Sequence, residues 1–161
     1  MSKSKNTSAR IRLEQLHRQA AGAPITLELK PLAFVPGAKA ALMGLGQDVM
    51  KMAGAELTLV QLGEAPTDFK PVADLGAGTY EIRLQTPGQW IRVFYVAKFE
   101  DAIYVLDAMA KTQNKIEQVD KDRVAQRYKL ASELSKQAVA GAEAKSAKGT
   151  QGLAKPGKHR R

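Results

Sequence analysis

Residues Thr79-Tyr-Glu-Ile-Arg-Leu-Gln85 alternate apolar and polar side chains, with Tyr80, Ile82 and Leu84 on one face and Glu81, Arg83 and Gln85 on the other. A period of two marks a half-buried strand. Thr86-Pro-Gly-Gln89 follows, with proline second and glycine third, as a type II turn requires. Gln89 to Lys98 and Ala102 to Met109 carry two further strand patterns, joined by the short acidic turn Phe99-Glu-Asp101. Three strands joined by short turns form an antiparallel meander.

On the N-terminal side, Leu32 to Val35 is a short apolar segment bounded by Pro31 and Pro36-Gly37, which predicts a strand. From Ala38 to Leu62 the spacing is helical: Leu42, Leu45, Val49 and Met52 share a stripe widened by Ala53, Leu57 and Val60. Gly44 and Gly46 should divide it, the second helix starting near Gln47-Asp48 and stopping at Gly63. Glu64 to Gly78 is rich in turn residues. Beyond the meander, Val124, Tyr128, Ala131 and Leu134 predict a closing helix from about Glu117 to Gln137. The fold class expected is α+β: a small twisted antiparallel sheet with helices from before and after the meander on one face and the other face free for a ligand.

At 161 residues and 44% hydrophobic, the chain suits one domain with extensions. It has no cysteine, which excludes disulfides and thiolate metal sites. No apolar run is long enough to span a bilayer and no signal peptide is evident, so a cytoplasmic protein without membrane contact is expected. The net charge of +9 is unevenly placed. Lys30 to Ser135 holds thirteen basic and thirteen acidic residues, whereas Lys136 to Arg161 holds seven against one and Met1 to Leu29 five against two. The division expected is a basic N-terminal extension over 1–29, a folded domain over 30–138 and a disordered basic tail over 139–161, where a single large aliphatic residue, Leu153, cannot drive packing. Ile11, Leu13 and Leu16 suggest a short helix from Ser8, ending near Gly22-Ala-Pro24.

No phosphate-binding glycine loop and no His/Asp/Glu set at metal spacing occurs, so no cofactor or metal is expected. A neutral middle must meet an anionic partner with a few placed cations. Arg83 and Arg92 flank the Thr86-Pro-Gly turn on neighbouring strands and would approach one another if they share a face. A guanidinium stays charged and grips phosphate bidentately, which suits both to an anionic ligand. The plainer reading pairs both arginines with Glu81 or Glu56. Lys111 and Lys115 offer further cations, or simply flank the acids that open the closing helix. Trp90 could stack on a base or anchor the hairpin edge, while Tyr80 and Tyr95 fall on core faces. His17 and His159 lie in the extensions and read as bystanders.

Lys30-Pro-Leu, Ala65-Pro-Thr-Asp-Phe-Lys-Pro71, Leu75-Gly-Ala-Gly-Thr-Tyr-Glu-Ile-Arg83, Arg92-Val-Phe-Tyr-Val-Ala-Lys98 and Asp101-Ala-Ile-Tyr-Val-Leu106 together resemble the phage-derived branch of the RelE/HigB toxins of type II toxin–antitoxin systems. The resemblance covers about Lys30 to Leu134. It implies a RelE-like fold that cleaves mRNA, commonly on the ribosome, and is neutralised by a small helix-turn-helix antitoxin. On that footing Arg83, Arg92, Lys111 and Lys115 are the expected catalytic residues, and Lys70, Trp90 and Lys98 the expected RNA contacts. After the last strand the family pattern reads Leu-His-Ala-Phe, a variable residue, then Lys-Lys-Thr-Gln-Lys. Here it is Leu106-Asp-Ala-Met-Ala-Lys-Thr-Gln-Asn-Lys115, one lysine short and with Asp107 in the histidine's place. An aspartate can imitate only the base, so a catalytically impaired module that binds nucleic acid or protein is the alternative.

Overall fold

A computed structural model describes residues 4–20, 28–113 and 115–152. In chain order the elements are α1 (Ser4–Ala20), β1 (Leu32–Phe34), α2 (Ala38–Met43), α3 (Gln47–Gln61), β2 (Phe69–Pro71), a 3-10 turn (Ala73–Leu75), β3 (Thr79–Thr86), β4 (Gln89–Val96), β5 (Ile103–Lys111) and α4 (Gln118–Gly152). The class is α+β, and the meander β3-β4-β5 forms the centre of a five-stranded sheet ordered β1-β5-β4-β3-β2. The Pro87-Gly88 turn has Gly88 at φ +76°, the left-handed conformation that a type II turn demands of its third residue. Gly46, at φ +101°, separates α2 from α3 where the sequence places the break.

The sheet is mixed rather than wholly antiparallel, because β1 pairs in parallel with β5, Leu32 opposite Ile103 and Phe34 opposite Val105. Nor is one face left free. Ile82, Leu84, Ile91, Val93, Tyr95, Ile103 and Val105 pack under α2 and α3, whereas Phe94, Val96, Tyr104, Leu106 and Met109 pack on the opposite side with Val124 and Ala131 of α4. The physical reason is visible in the strands: Val93-Phe-Tyr-Val96 and Ile103-Tyr-Val-Leu106 are continuously apolar, and such runs need cover on both faces.

Two further departures concern the ends. β2 was expected to be turn; its three residues pair with Tyr80 to Ile82 of β3 and form an edge, where Pro71 is tolerated. The helix α4 continues to Gly152, through the first part of the expected disordered tail. That stretch is rich in alanine, which has the highest helix propensity, so it stays helical although residues 141–147 are exposed. At the other end α1 begins at Ser4, ahead of the expected start at Ser8, and Ala9 is buried while Arg12 bonds Glu64 after α3. The expected stop of α1 at Gly22-Ala-Pro24, His159 and the last residues of the basic tail lie outside the described residues.

Candidate functional site

The two-residue turn fixes the register of β3 on β4, and Arg83 stands directly opposite Arg92. Direct partners sit about 5 Å apart at Cα and project to the same side. That side faces α4, since Phe94 and Met109 belong to the α4 cluster. Reading across β2, β3, β4 and β5, one row is Lys70, Glu81, Phe94 and Asp107; the next is Arg83, Arg92 and Met109; the next, nearest the turn, is Gln85, Trp90 and Lys111. Five of the seven sequence-predicted residues thus share a face. Lys115 stands exposed in the loop before α4, and Lys98 lies past the far end of β4, roughly 25 Å along the strand from Trp90. Its ammonium sits 5.7 Å from the ring centres of both Phe99 and Tyr128.

The cations of this face are held by carboxylates. Arg92 is 3% exposed and pairs through Nη1 with Oε1 of the fully buried Glu81, whose Oε2 lies 3.8 Å from Lys70 Nζ. Burial drives the Arg92 pKa below its usual value, and the negative charge of Asp68 only partly restores it. Removing two such groups from water is costly, so the pair persists because each ion has the other. Arg83, a third exposed, donates Nη2 and Nε to Asp68 Oδ1 at 2.7 and 3.1 Å.

A second network joins β5 to α4. At Phe94 the β4–β5 register shifts, so that Leu106 and Asp107 both oppose one residue, a β-bulge. Bulged carbonyls leave the ladder; that of Leu106 accepts Arg127 Nη1 at 3.1 Å. Asp107 is 1% exposed, accepts Arg123 Nε at 2.7 Å and its neighbour Ala108 N at 2.9 Å, and forms an ion pair with Arg127 Nη1 at 2.8 Å. The hydrogen bond to Asp107 raises the Arg123 pKa. Arg123 also holds Asp120 at 2.9 Å, and Asp120 in turn holds the Lys111 ammonium at 2.5 Å. Burial opposes the charge of Asp120, but hydrogen bonds from Lys111 and Arg123 outweigh it and bring its pKa below the ordinary value. Gly37 makes room here: a Cβ on it would lie 2.6 Å from Arg127 Nη2.

Asp68, Arg123 and Arg127 were not singled out from the sequence. A lone aspartate inside the apolar run Leu106-Asp-Ala-Met109 was the available signal, because a buried carboxylate requires cationic partners. Tyr95 is buried on the α2–α3 side and stacks on Tyr80 at 5.8 Å, and burial pushes its hydroxyl pKa far up. His17 is exposed on α1. Among the described residues no three His, Asp or Glu side chains gather where they could hold a metal ion, and no helix is long and apolar enough to cross a membrane.

No curated protein and no solved structure matches the chain. The family model described as "Phage derived protein Gp49-like (DUF891)" matches residues 40–129, from α2 through the meander with its Arg83–Arg92 row to the first three turns of α4. Over half of the chain being matched, this protein belongs to the Gp49-like phage-derived family, a family of the RelE/Gp49 toxin type.

Proposed function

We propose that the chain is the toxin of a type II toxin–antitoxin pair, of the RelE/HigB kind, acting in the cytoplasm as a metal-independent endoribonuclease on translated mRNA. The observation that carries this reading is the direct opposition of Arg83 and Arg92 on one sheet face, with Lys111 one row away. Cleavage without a metal needs the 2′-hydroxyl deprotonated, charge on the phosphorane held and the leaving oxygen protonated. Arg83 and Lys111, both partly exposed, are suited to the phosphorane oxygens. Lys115, exposed and paired with no acid among the described residues, is suited to exchanging a proton. Arg92 lies beneath them and contributes positive potential while fixing Glu81. Lys70 and the half-buried Trp90 extend the contact to flanking RNA, and Lys98 adds a remote one. Asp107 is not the base in this scheme, because both its oxygens are held by arginines.

One observation favours the second reading, a binding module without catalysis: Arg83, Arg92 and Lys111 are each already matched by a carboxylate. Controlled expression separates the two. The toxin reading expects growth arrest, new transcript 5′ ends and copurification of a small helix-turn-helix antitoxin, with Arg83→Ala relieving the arrest. Growth unaffected and RNA bound but uncut would select the binding module.

A further inference from the structure

The segment Ala65-Pro-Thr-Asp-Phe-Lys-Pro71 leaves α3 and enters β2, and the cleavage scheme gives most of it no task. It is firmly held. Glu56 of α3, 2% exposed, accepts the Thr67 N–H at 2.8 Å, and Pro66 is buried. The next residue, Asp68, grips Arg83 twice. Its backbone carbonyl accepts the Arg83 N–H at 2.9 Å, continuing the β2–β3 ladder past Phe69 and Ile82. Its Oδ1 accepts the Arg83 side chain at Nη2 and Nε, 2.7 and 3.1 Å away. One edge of the guanidinium is thereby committed, and Nη1 has no partner among the described residues.

We infer that Asp68 is the positioning residue of Arg83, fixing the guanidinium so that Nη1 is presented to the RNA phosphate. This rests on the reading of Arg83 as a phosphate contact. A free arginine must freeze several torsions when substrate arrives, whereas one already held by a fixed carboxylate has lost that freedom beforehand. The pair is partly exposed, 33% for Arg83 and 18% for Asp68. Pairs so placed contribute little to stability, so the effect belongs in the rate rather than in the melting temperature. Asp68 also places a negative charge beside the bound phosphate, which opposes binding, so its contribution lies in orientation and not in affinity.

The test is single-turnover cleavage of a reporter mRNA on programmed ribosomes, titrated with the full-length protein and read as a saturating rate and a half-saturating concentration. Asp68→Asn should lower the saturating rate about ten- to a hundredfold and leave the half-saturating concentration equal or lower. Asp68→Glu should recover part of the rate. In an Arg83→Ala background Asp68→Asn should cost nothing further. Effects of Asp68→Asn and Arg83→Ala that multiply, or an Asp68→Asn protein as fast as its parent while Arg83→Ala is slow, would overturn the inference and leave the role of Arg83 standing. An Arg83→Ala protein that cleaves at the parent rate would bring down both.

Discussion

Replacing Asp107 by alanine removes the acceptor of two hydrogen bonds, from Arg123 Nε and Ala108 N at 2.7 and 2.9 Å, and the partner of an ion pair with Arg127 Nη1 at 2.8 Å. Bonds to a charged group contribute about 1.5–3 kcal/mol each, so a bare sum would reach several kcal/mol. That sum does not apply, because Arg123 retains Asp120 and Arg127 retains the Leu106 carbonyl. Both guanidiniums also reach water, at 39% and 20% side-chain exposure, which discounts their loss further. The expected destabilisation is about 2–4 kcal/mol, or roughly 5–15 °C in melting temperature for a chain of this size. Urea titrations followed by circular dichroism, with a shared m-value, measure it directly. In an Arg123→Ala background the same substitution should cost at least about 0.5 kcal/mol less, since the two residues share a bond. A loss below about 0.5 kcal/mol, the range of ordinary surface substitutions, would refute the view that Asp107 ties the bulge to α4.

Acid should weaken the same junction. Burial opposes the charge on Asp101 and Asp120, but hydrogen bonds from Ser135 and Tyr104 to the first, and from Lys111 and Arg123 to the second, leave both pKa values depressed. A carboxyl with a folded-state pKa below the unfolded one stabilises the fold above the unfolded value and loses that contribution as pH falls through the folded one. Urea midpoints should therefore drop from about pH 5 downward, and less steeply for Asp120→Asn. Gly76→Ala would place a Cβ 2.3 Å from Cγ of the Tyr128 ring, so it should cost about 1–3 kcal/mol by thermal melting, with Tyr128→Ala in the same chain recovering part. Ending the chain at Ala140 should move the melting temperature by less than about 2 °C while lowering helical ellipticity, because residues 141–147 are exposed.

Local signals carried the meander and the paired helices. Two glycines at 44 and 46 broke one apolar stripe into α2 and α3, and the turn at Pro87-Gly88 set the register that puts Arg83 against Arg92. Where structure depends on distant partners, the sequence was silent. Phe69-Lys-Pro71 reads as turn because its strand conformation comes from pairing with β3. Asp68 reaches Arg83 across 15 residues and Arg123 reaches Asp107 across 16, neither spacing having a local signature. The burial of Arg92 follows from α4 lying over its face, which alternation within β4 alone does not report. Residues 140–147 are exposed, as their small and polar side chains require; their composition does not signal that an alanine-rich segment continuing an existing helix avoids the cost of nucleation.

The bulge at Leu106 and Asp107 also governs how β5 tolerates changes of length. Side chains alternate from Ile103 to Val105 and again from Asp107 to Lys111, and the two series are offset by one because a supernumerary residue, Leu106, separates them. Deleting Leu106 would close the ladder while keeping Asp107, Met109 and Lys111 on the α4 side and Ala108 on the other, whereas deleting Ala108 would invert everything after it. A parity-preserving position of this kind lets a lineage lengthen or shorten the strand by one residue upstream of its cationic end without turning that end inside out.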